Sequence, residues 1–330
     1  MKKAITYGGI TADPGCKATG WTPVFNTGYK LPVTVINGAK PGKSVLITSA
    51  IHGCEYPSIE AVFRLAENID PAEVSGQIVV VNPVNVEAFL KRIPYVVPED
   101  GQNLNRQFPG DPNGTLSRKI AYVLTEEYQK HVDFHIDTHG GDIPERQVPY
   151  AYYPSICDDP EVVKICEEAT EYVLHAEYIV KSVAVNHAYN YATLACHVPS
   201  IELELGQSGL WTEHEVELYM ENITNIMRWL KVLPGEALKR IKPIAHIVEG
   251  EYLDADNDGR WYPLVGRNAQ IRKGQKLGVI KDMFGKVLNE YFAASDGLVL
   301  MIAGALSVRK GDPIIAYGMR CPGHNCHCFD

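Results

Sequence analysis

The chain has 330 residues, 45% hydrophobic and 22% charged, a balance that excludes a disordered, collagenous or membrane-buried polypeptide. Its formal net charge of −9 comes without any Lys/Arg block, so no nucleic-acid partner is expected. No apolar run approaches the roughly 20 residues of a membrane helix, and "MKKAITYGGITADPG" has no apolar stretch behind its lysines, so neither a membrane partner nor a secretory leader is expected.

Length at roughly 100–200 residues per domain predicts two domains. The first two-thirds alternates strands and helices. "LPVTVI" (31–36) and "SVLITSAI" (44–51) read as strands around the turn "NGAKPGK". "PSIEAVFRLAEN" (57–68) has apolar residues at a helical period, with Pro57 suited to its first turn. "GQIVVVNPV" reads as a buried strand, "SRKIAYVLTEEYQK" as a helix, "VDFHIDTH" and "SIELEL" as strands, and "EHEVELYMENITNIMRWLKVL" as a long amphipathic helix. Strands separated by helices predict an α/β fold with a mainly parallel or mixed sheet flanked by helices. Ligands in such sheets sit beyond the carboxyl ends of strands.

Near 233–243 the texture changes to short β-like runs broken by glycine, which predicts an α/β domain over 1–235 and a small β-domain over 236–330. "IRKGQKLGVI" echoes "VRKGDPIIAY", a two-fold repeat that resembles the half-barrels of lipoyl and biotinyl carriers. "DGLVLMIAGAL" offers no lysine for modification, so a carrier role is not expected. "DADNDG" (254–259) imitates an EF-hand loop, but Val265 stands where a bidentate Glu is needed, and a polar hairpin turn is the expectation.

Of eight cysteines, Cys16, Cys54, Cys157, Cys166 and Cys196 are scattered, which suits a reducing, cytoplasmic setting. Cys321, Cys326 and Cys328, with His324 and His327, crowd the tail "CPGHNCHCFD" without a zinc-knuckle spacing, and a packed or redox-labile tail is expected there.

The chemistry concentrates in a few strand ends. In "SAIHGCEY", His52 and Glu55 follow a buried strand, with Gly53 permitting a tight turn, and the pair can begin a metal site. His214 and Glu217 repeat the spacing inside an amphipathic helix and read as a solvated face. In "DFHIDTHGGD" the residues His135, Asp137 and His139 share one face of a strand. His139, at the strand end, is the candidate third ligand; Asp137 can orient a ligand imidazole, and His135 lies deeper. "RIPYVVPEDGQNLNRQFPG" (92–110) is a polar loop in which Arg106 can fork onto a carboxylate and Arg92 can stabilise an oxyanion. "SIELELGQSG" sets Glu202 and Glu204 on one face at a strand end, either able to serve as a general base.

"HGCE", the "NP" at 82–83, "NLNRQFPG", "DTH" and "ELG" occur in that order. The combination resembles the succinylglutamate desuccinylase/aspartoacylase family, the deacylase branch of the zinc carboxypeptidase superfamily. The resemblance covers about residues 30–232 and extends to the β-domain. It implies one zinc ion per chain bound by His52, Glu55 and His139, with Glu204 as the catalytic glutamate. It further implies Arg92 near the scissile carbonyl, and Asn105 with Arg106 on a substrate carboxylate. Cys54 stands where Asn is frequent in the family.

The implied activity is hydrolysis of the amide of a small N-acyl amino acid or related N-acyl amine, acetyl being mildly favoured. Zinc with three protein ligands keeps a position for water. A metallocarboxypeptidase acting on short peptides is the nearest alternative, and a non-catalytic zinc- or ligand-binding protein the second. The partner expected is a small carboxylate-bearing substrate. The oligomeric state stays open.

Overall fold

The computed structural model describes residues 2–240 and 244–320; the Cys/His-rich tail lies outside the described residues. A mixed sheet of 13 strands forms the spine. Its centre holds the strands Ser200–Glu204, Phe134–His139, Lys40–Ser49 and Ser75–Val81, all parallel to one another in that order. Lys30–Asn37 and Cys16–Pro23 extend one side antiparallel. On the other side Tyr150–Pro154 runs antiparallel to Ser200–Glu204 and parallel to Tyr178–Ser182.

The central strands are nearly continuous apolar runs, and the burial follows. Val45, Leu46 and Ile47 are fully buried, as are Ile78, Val79 and Val81, because both faces of the sheet are covered. One face packs on α1 (Tyr56–Asn68), whose buried Ile59, Val62 and Leu65 lie at helical spacing. The opposite face packs on later helices. These include α2 (Val86–Lys91), α3 (Leu116–Glu127) and α5 (Ala188–Cys196), of which α3 and α5 enter the second core with Ile120, Leu124, Ala188 and Ala192. Helix α4 (Pro160–Ala169) lies instead on the first face, where its Cys166 and Ala169 join the core of α1. The long helix α6 (Glu213–Trp229) returns to the first face through Val216, Tyr219, Ile223 and Ile226. Burial of each such side chain is worth roughly 1.5–3 kcal/mol. The exposed faces of His214 and Glu217 agree with a solvated face.

Hydrogen bonding does not stop at residue 235. The strand Ala245–Asp254 adds parallel to Tyr178–Ser182, and Pro313–Arg320 and Gly297–Ala303 continue the sheet antiparallel. A separate antiparallel sheet of Val287–Phe292, Lys276–Lys281, Gly259–Pro263 and Ser307–Val308 covers its own core around Trp261, Leu277 and Tyr291. The repeat seen in the sequence has a matching backbone: Gly274 and Gly311 both adopt the left-handed region, φ 80° and 91°, just before the strands Lys276–Lys281 and Pro313–Arg320. Asp254–Gly259 is a polar turn but not a hairpin, since the strands it joins belong to different sheets. Among the described residues no helix is long and apolar enough to cross a membrane.

Two strands, Tyr150–Pro154 and Tyr178–Ser182, and the helices α4 and α5 are not anticipated from the sequence pattern. They lie in the stretch between "DTHGG" and "SIELEL", where no sustained period stands out.

Candidate active site

The parallel strands deliver their ends to one place. Lys40–Ser49 ends in a turn at Ala50, whose φ of 58° redirects the chain so that His52 and Glu55 face the end of Phe134–His139. Gly53 allows this by close approach rather than by an unusual φ: a Cβ there would meet the α2 backbone at Ala88 and Phe89 within 2.5 Å. Tyr219 of α6 pins the ends of two strands by donating to the His139 carbonyl and accepting from the Leu205 N–H.

His52, Glu55 and His139 each offer a ligand atom, and these atoms lie within 4.8 Å of one another. The arrangement is directional. His52 presents Nδ1 to Glu55 Oε1 at 2.7 Å, and His139 presents Nδ1 to Glu55 Oε2 at 3.3 Å. Each outer nitrogen has its own neighbour. His52 Nε2 faces Asn103 Oδ1 at 3.2 Å, and His139 Nε2 faces Asp137 Oδ2 at 3.4 Å. Outer acceptors of this kind orient metal-bound imidazoles. Burial works against a charge on Glu55, but the two imidazoles outweigh it and its pKa falls below the ordinary carboxyl value. Burial likewise opposes a proton on His139, yet Glu55, Glu202 and Asp137 surround it and raise its pKa well above that of a free imidazole.

The donor set fits a divalent metal. Glu55 Oε2, which faces the His139 imidazole, is buried without a hydrogen-bond partner, and a bound cation would supply one. Asp137 Oδ2, His139 Nε2 and Glu202 Oε2 are likewise unpaired and form a second, fully buried group whose atoms are close enough to hold an ion. Two imidazoles and a carboxylate are the ligand types of hydrolytic zinc sites. Cys54 takes no part: it is fully buried, and its thiol is pushed up to about 12 by burial and by Asp142.

Behind the site, Thr48 donates its hydroxyl to Asp137 Oδ1 at 2.5 Å and so accepts from His135 Nε2 at 2.7 Å. His135 is therefore a neutral supporting group, its pKa pushed down to about 4 by burial.

Glu204 sits beside His139 in register, as Glu202 sits beside Asp137. Both carboxylates line the cleft, but they differ. Glu202 Oε2 lies 3.6 Å from His139 Nε2, the nitrogen turned away from Glu55. Glu204 is at the strand end, with Oε2 accepting from Gln147 Nε2 at 3.0 Å, and burial pushes its carboxyl up to about 8.

Asn105 and Arg106 also line the cleft, on a short 3-10 turn, Leu104–Arg106. Asn105 Oδ1 accepts from the Ala188 N–H at 2.9 Å, which ties the loop to the start of α5. Arg106 makes no ion pair among the described residues; its guanidinium bonds only to the Asn105 carbonyl, at 3.1 Å. Arg92 is not brought into the cleft. It caps α2 in the left-handed conformation, φ 57°, and stands exposed. Its charge is felt at Tyr56, which does not line the cleft.

Several cleft residues carry no signal in the sequence. Tyr95, Glu145, Gln147, Tyr150, Tyr152 and His187 line it from the catalytic region, and Tyr252, Met301 and Pro313 from beyond residue 235. Tyr252 meets Tyr152 hydroxyl to hydroxyl across that junction. A motif search could have reached only Tyr95, which lies inside the polar loop already singled out. The cleft is small, with about 100 Å³ open to water.

Residues 41–230 match the succinylglutamate desuccinylase/aspartoacylase catalytic domain. The chain is 27% identical over 293 residues, 86% of this chain and 84% of the relative, to the N-alpha-acetyl-L-2,4-diaminobutyric acid deacetylase of Halomonas elongata. Among solved structures it is similar to the product-bound ectoine utilization protein EutE (DoeB) of Ruegeria pomeroyi, with TM-score 0.79, 23% identity, and 97% and 96% of the two chains covered. It is also similar to a succinylglutamate desuccinylase from Silicibacter sp. TM1040, with TM-score 0.75, 25% identity and 89% of each chain covered. A domain match over more than half of the length, on a fold shared over 89% of the chain, leads to one conclusion: the chain belongs to the succinylglutamate desuccinylase/aspartoacylase family.

Proposed function

We propose that this protein is a zinc-dependent amidohydrolase that cleaves a small N-acyl amino acid, or a related N-acyl amine, to a carboxylic acid and a free amine. The observation that carries the reading is the meeting of His52, Glu55 and His139 with Glu204 and Arg106 in one cleft at the ends of parallel strands. His52, Glu55 and His139 would hold the zinc ion. When bound, zinc acidifies water toward a pKa of roughly 7 and polarises a carbonyl.

The protein's own groups divide the remaining work. Glu204 takes the proton from the attacking water and passes it to the leaving nitrogen, a role that suits a carboxyl whose pKa burial has raised to about 8. Gln147 holds one Glu204 oxygen and leaves the other to the reaction. Arg106, with Asn105 beside it, receives the substrate carboxylate. Asp137 and Asn103 keep the two imidazoles oriented.

The small cleft, walled by Tyr252, Met301 and Pro313, favours an N-acyl amino acid over a peptide. The relative in Halomonas elongata acts, by its name, on an N-alpha-acetylated diamino acid, which makes acetyl the first acyl group to try. The test is a hydrolysis screen of the zinc-loaded protein against acetyl, succinyl and longer N-acyl amino acids, with short peptides alongside. Release of the free amino acid from an N-acyl substrate is expected; release of amino acids from peptides alone would replace this reading with a carboxypeptidase.

A further inference from the structure

We infer that Tyr95 is the hydrogen-bond donor to the carbonyl oxygen of the scissile amide as negative charge develops on it. The assignment rests on the deacylase reading above. It fills a place that Arg92, exposed on the cap of α2, does not reach.

The argument starts from an orphan. Four cleft-lining side chains have a buried polar atom without a hydrogen-bond partner: Glu55, His139, Glu202 and Tyr95. The first three cluster about the metal ligands. Tyr95 Oη belongs to none of those pairs, and it is the only hydroxyl of the four. A buried hydroxyl is rarely left unsatisfied unless something else visits it. The other cleft hydroxyls are engaged, Tyr152 with Tyr252 and Tyr150 with Gln147.

Placement agrees. The Tyr95 ring stands edge-on to His52, centroids 6.0 Å apart at 77°, so the phenol lies on the wall next to the candidate metal ligands. Its backbone is held in the left-handed region, φ 60°, a conformation costly for an aromatic residue. The Tyr95 N–H donates to Asp142 Oδ2 at 3.0 Å and keeps it there. The Glu145 carboxyl is the polar group nearest in effect to the phenol; the two make no full hydrogen bond, but burial and the approach of Glu145 raise the phenol's pKa, so the group stays protonated and can only donate to an oxyanion.

The step balances without any further reactant. Water adds its oxygen to the carbonyl carbon, the C=O π pair moves onto the carbonyl oxygen, and Tyr95 donates a hydrogen bond to that oxygen. The pair returns as the C–N bond breaks. The amine leaves with the proton that Glu204 took from the water.

The test is Tyr95→Phe, on whichever N-acyl amino acid the screen finds to be turned over. Expected is a fall in kcat of about 10²-fold with KM changed by less than about threefold. Binding of the matching phosphonamidate, in which tetrahedral phosphorus replaces the acyl carbon, should weaken in step with kcat/KM. Zinc content should be unchanged and the thermal midpoint equal or higher, because the variant loses an unsatisfied buried hydroxyl. A structural tyrosine would instead lower the midpoint. If kcat stays within about threefold of wild type, or falls only together with the midpoint and zinc content, the assignment is overturned and the deacylase reading survives. A wild type that hydrolyses no amide at all overturns both.

Discussion

Glu204 and His139 are register partners on adjacent parallel strands, and Glu202 pairs in the same way with Asp137 one repeat deeper. On the proposed mechanism this two-residue step separates the glutamate that meets the substrate from the one that backs an imidazole. Glu204→Gln should keep fold and zinc but lose about 10²–10⁴-fold in kcat. Glu202→Gln should act through His139 and cost less in kcat than in zinc affinity. Steady-state kinetics beside a zinc titration of both variants separates the roles; the reverse pattern would exchange them.

His139 is surrounded by Glu55, Asp137 and Glu202. His139→Ala should therefore lose most of the bound zinc and the activity, while His214→Ala, on the exposed face of α6, keeps both. Chelation should lower the thermal midpoint of the wild type and leave that of His139→Ala almost unmoved, since binding to the folded state alone stabilises it. Metal analysis and a melting curve with and without chelator check this. Full zinc occupancy in His139→Ala would remove these ligands from the proposal.

Arg106 has no carboxylate partner among the described residues, and its guanidinium lies in the cleft wall. Arg106→Lys keeps the charge but loses the planar fork, and kcat/KM should drop at least about tenfold. Amidating the substrate carboxylate should impair the wild type far more than Arg106→Ala, which has already lost the partner. A two-by-two comparison of kcat/KM reads this directly; equal losses in both enzymes would assign Arg106 to the loop instead.

His135 is buried and neutral, with its pKa pushed down to about 4 against an ordinary 6.5. The unfolded chain therefore binds a proton between those values that the folded protein refuses. Stability attributable to His135 is complete above pH 6.5 and is lost as pH falls toward 4, by up to about 3 kcal/mol. His135→Gln can still donate to Thr48 and does not titrate. Its thermal midpoint should fall less steeply than the wild type's over that window, and parallel curves would show that another group sets the acid limb.

Local pattern alone determined much of this protein. A buried apolar run ending in His-x-x-Glu, the two-residue alternation of "DFHIDTH" and "SIELEL", and the polar "NLNR" loop each mark a strand end or a turn, because side-chain direction repeats every second residue on a strand. His52, Glu55, His139, Glu204, Asn105 and Arg106 all sit together in the structure for that reason. Tertiary structure decided what periodicity cannot encode. Arg92 and Tyr95 are three residues apart in one loop, yet the left-handed cap turns Arg92 outward while Tyr95 lines the cleft. Tyr252, Met301 and Pro313 reach the same wall only because Ala245–Asp254 pairs with Tyr178–Ser182 and carries the sheet past the catalytic region. Such neighbours are set by which strand edges meet, a long-range choice that leaves no trace in the local spacing of apolar and polar residues.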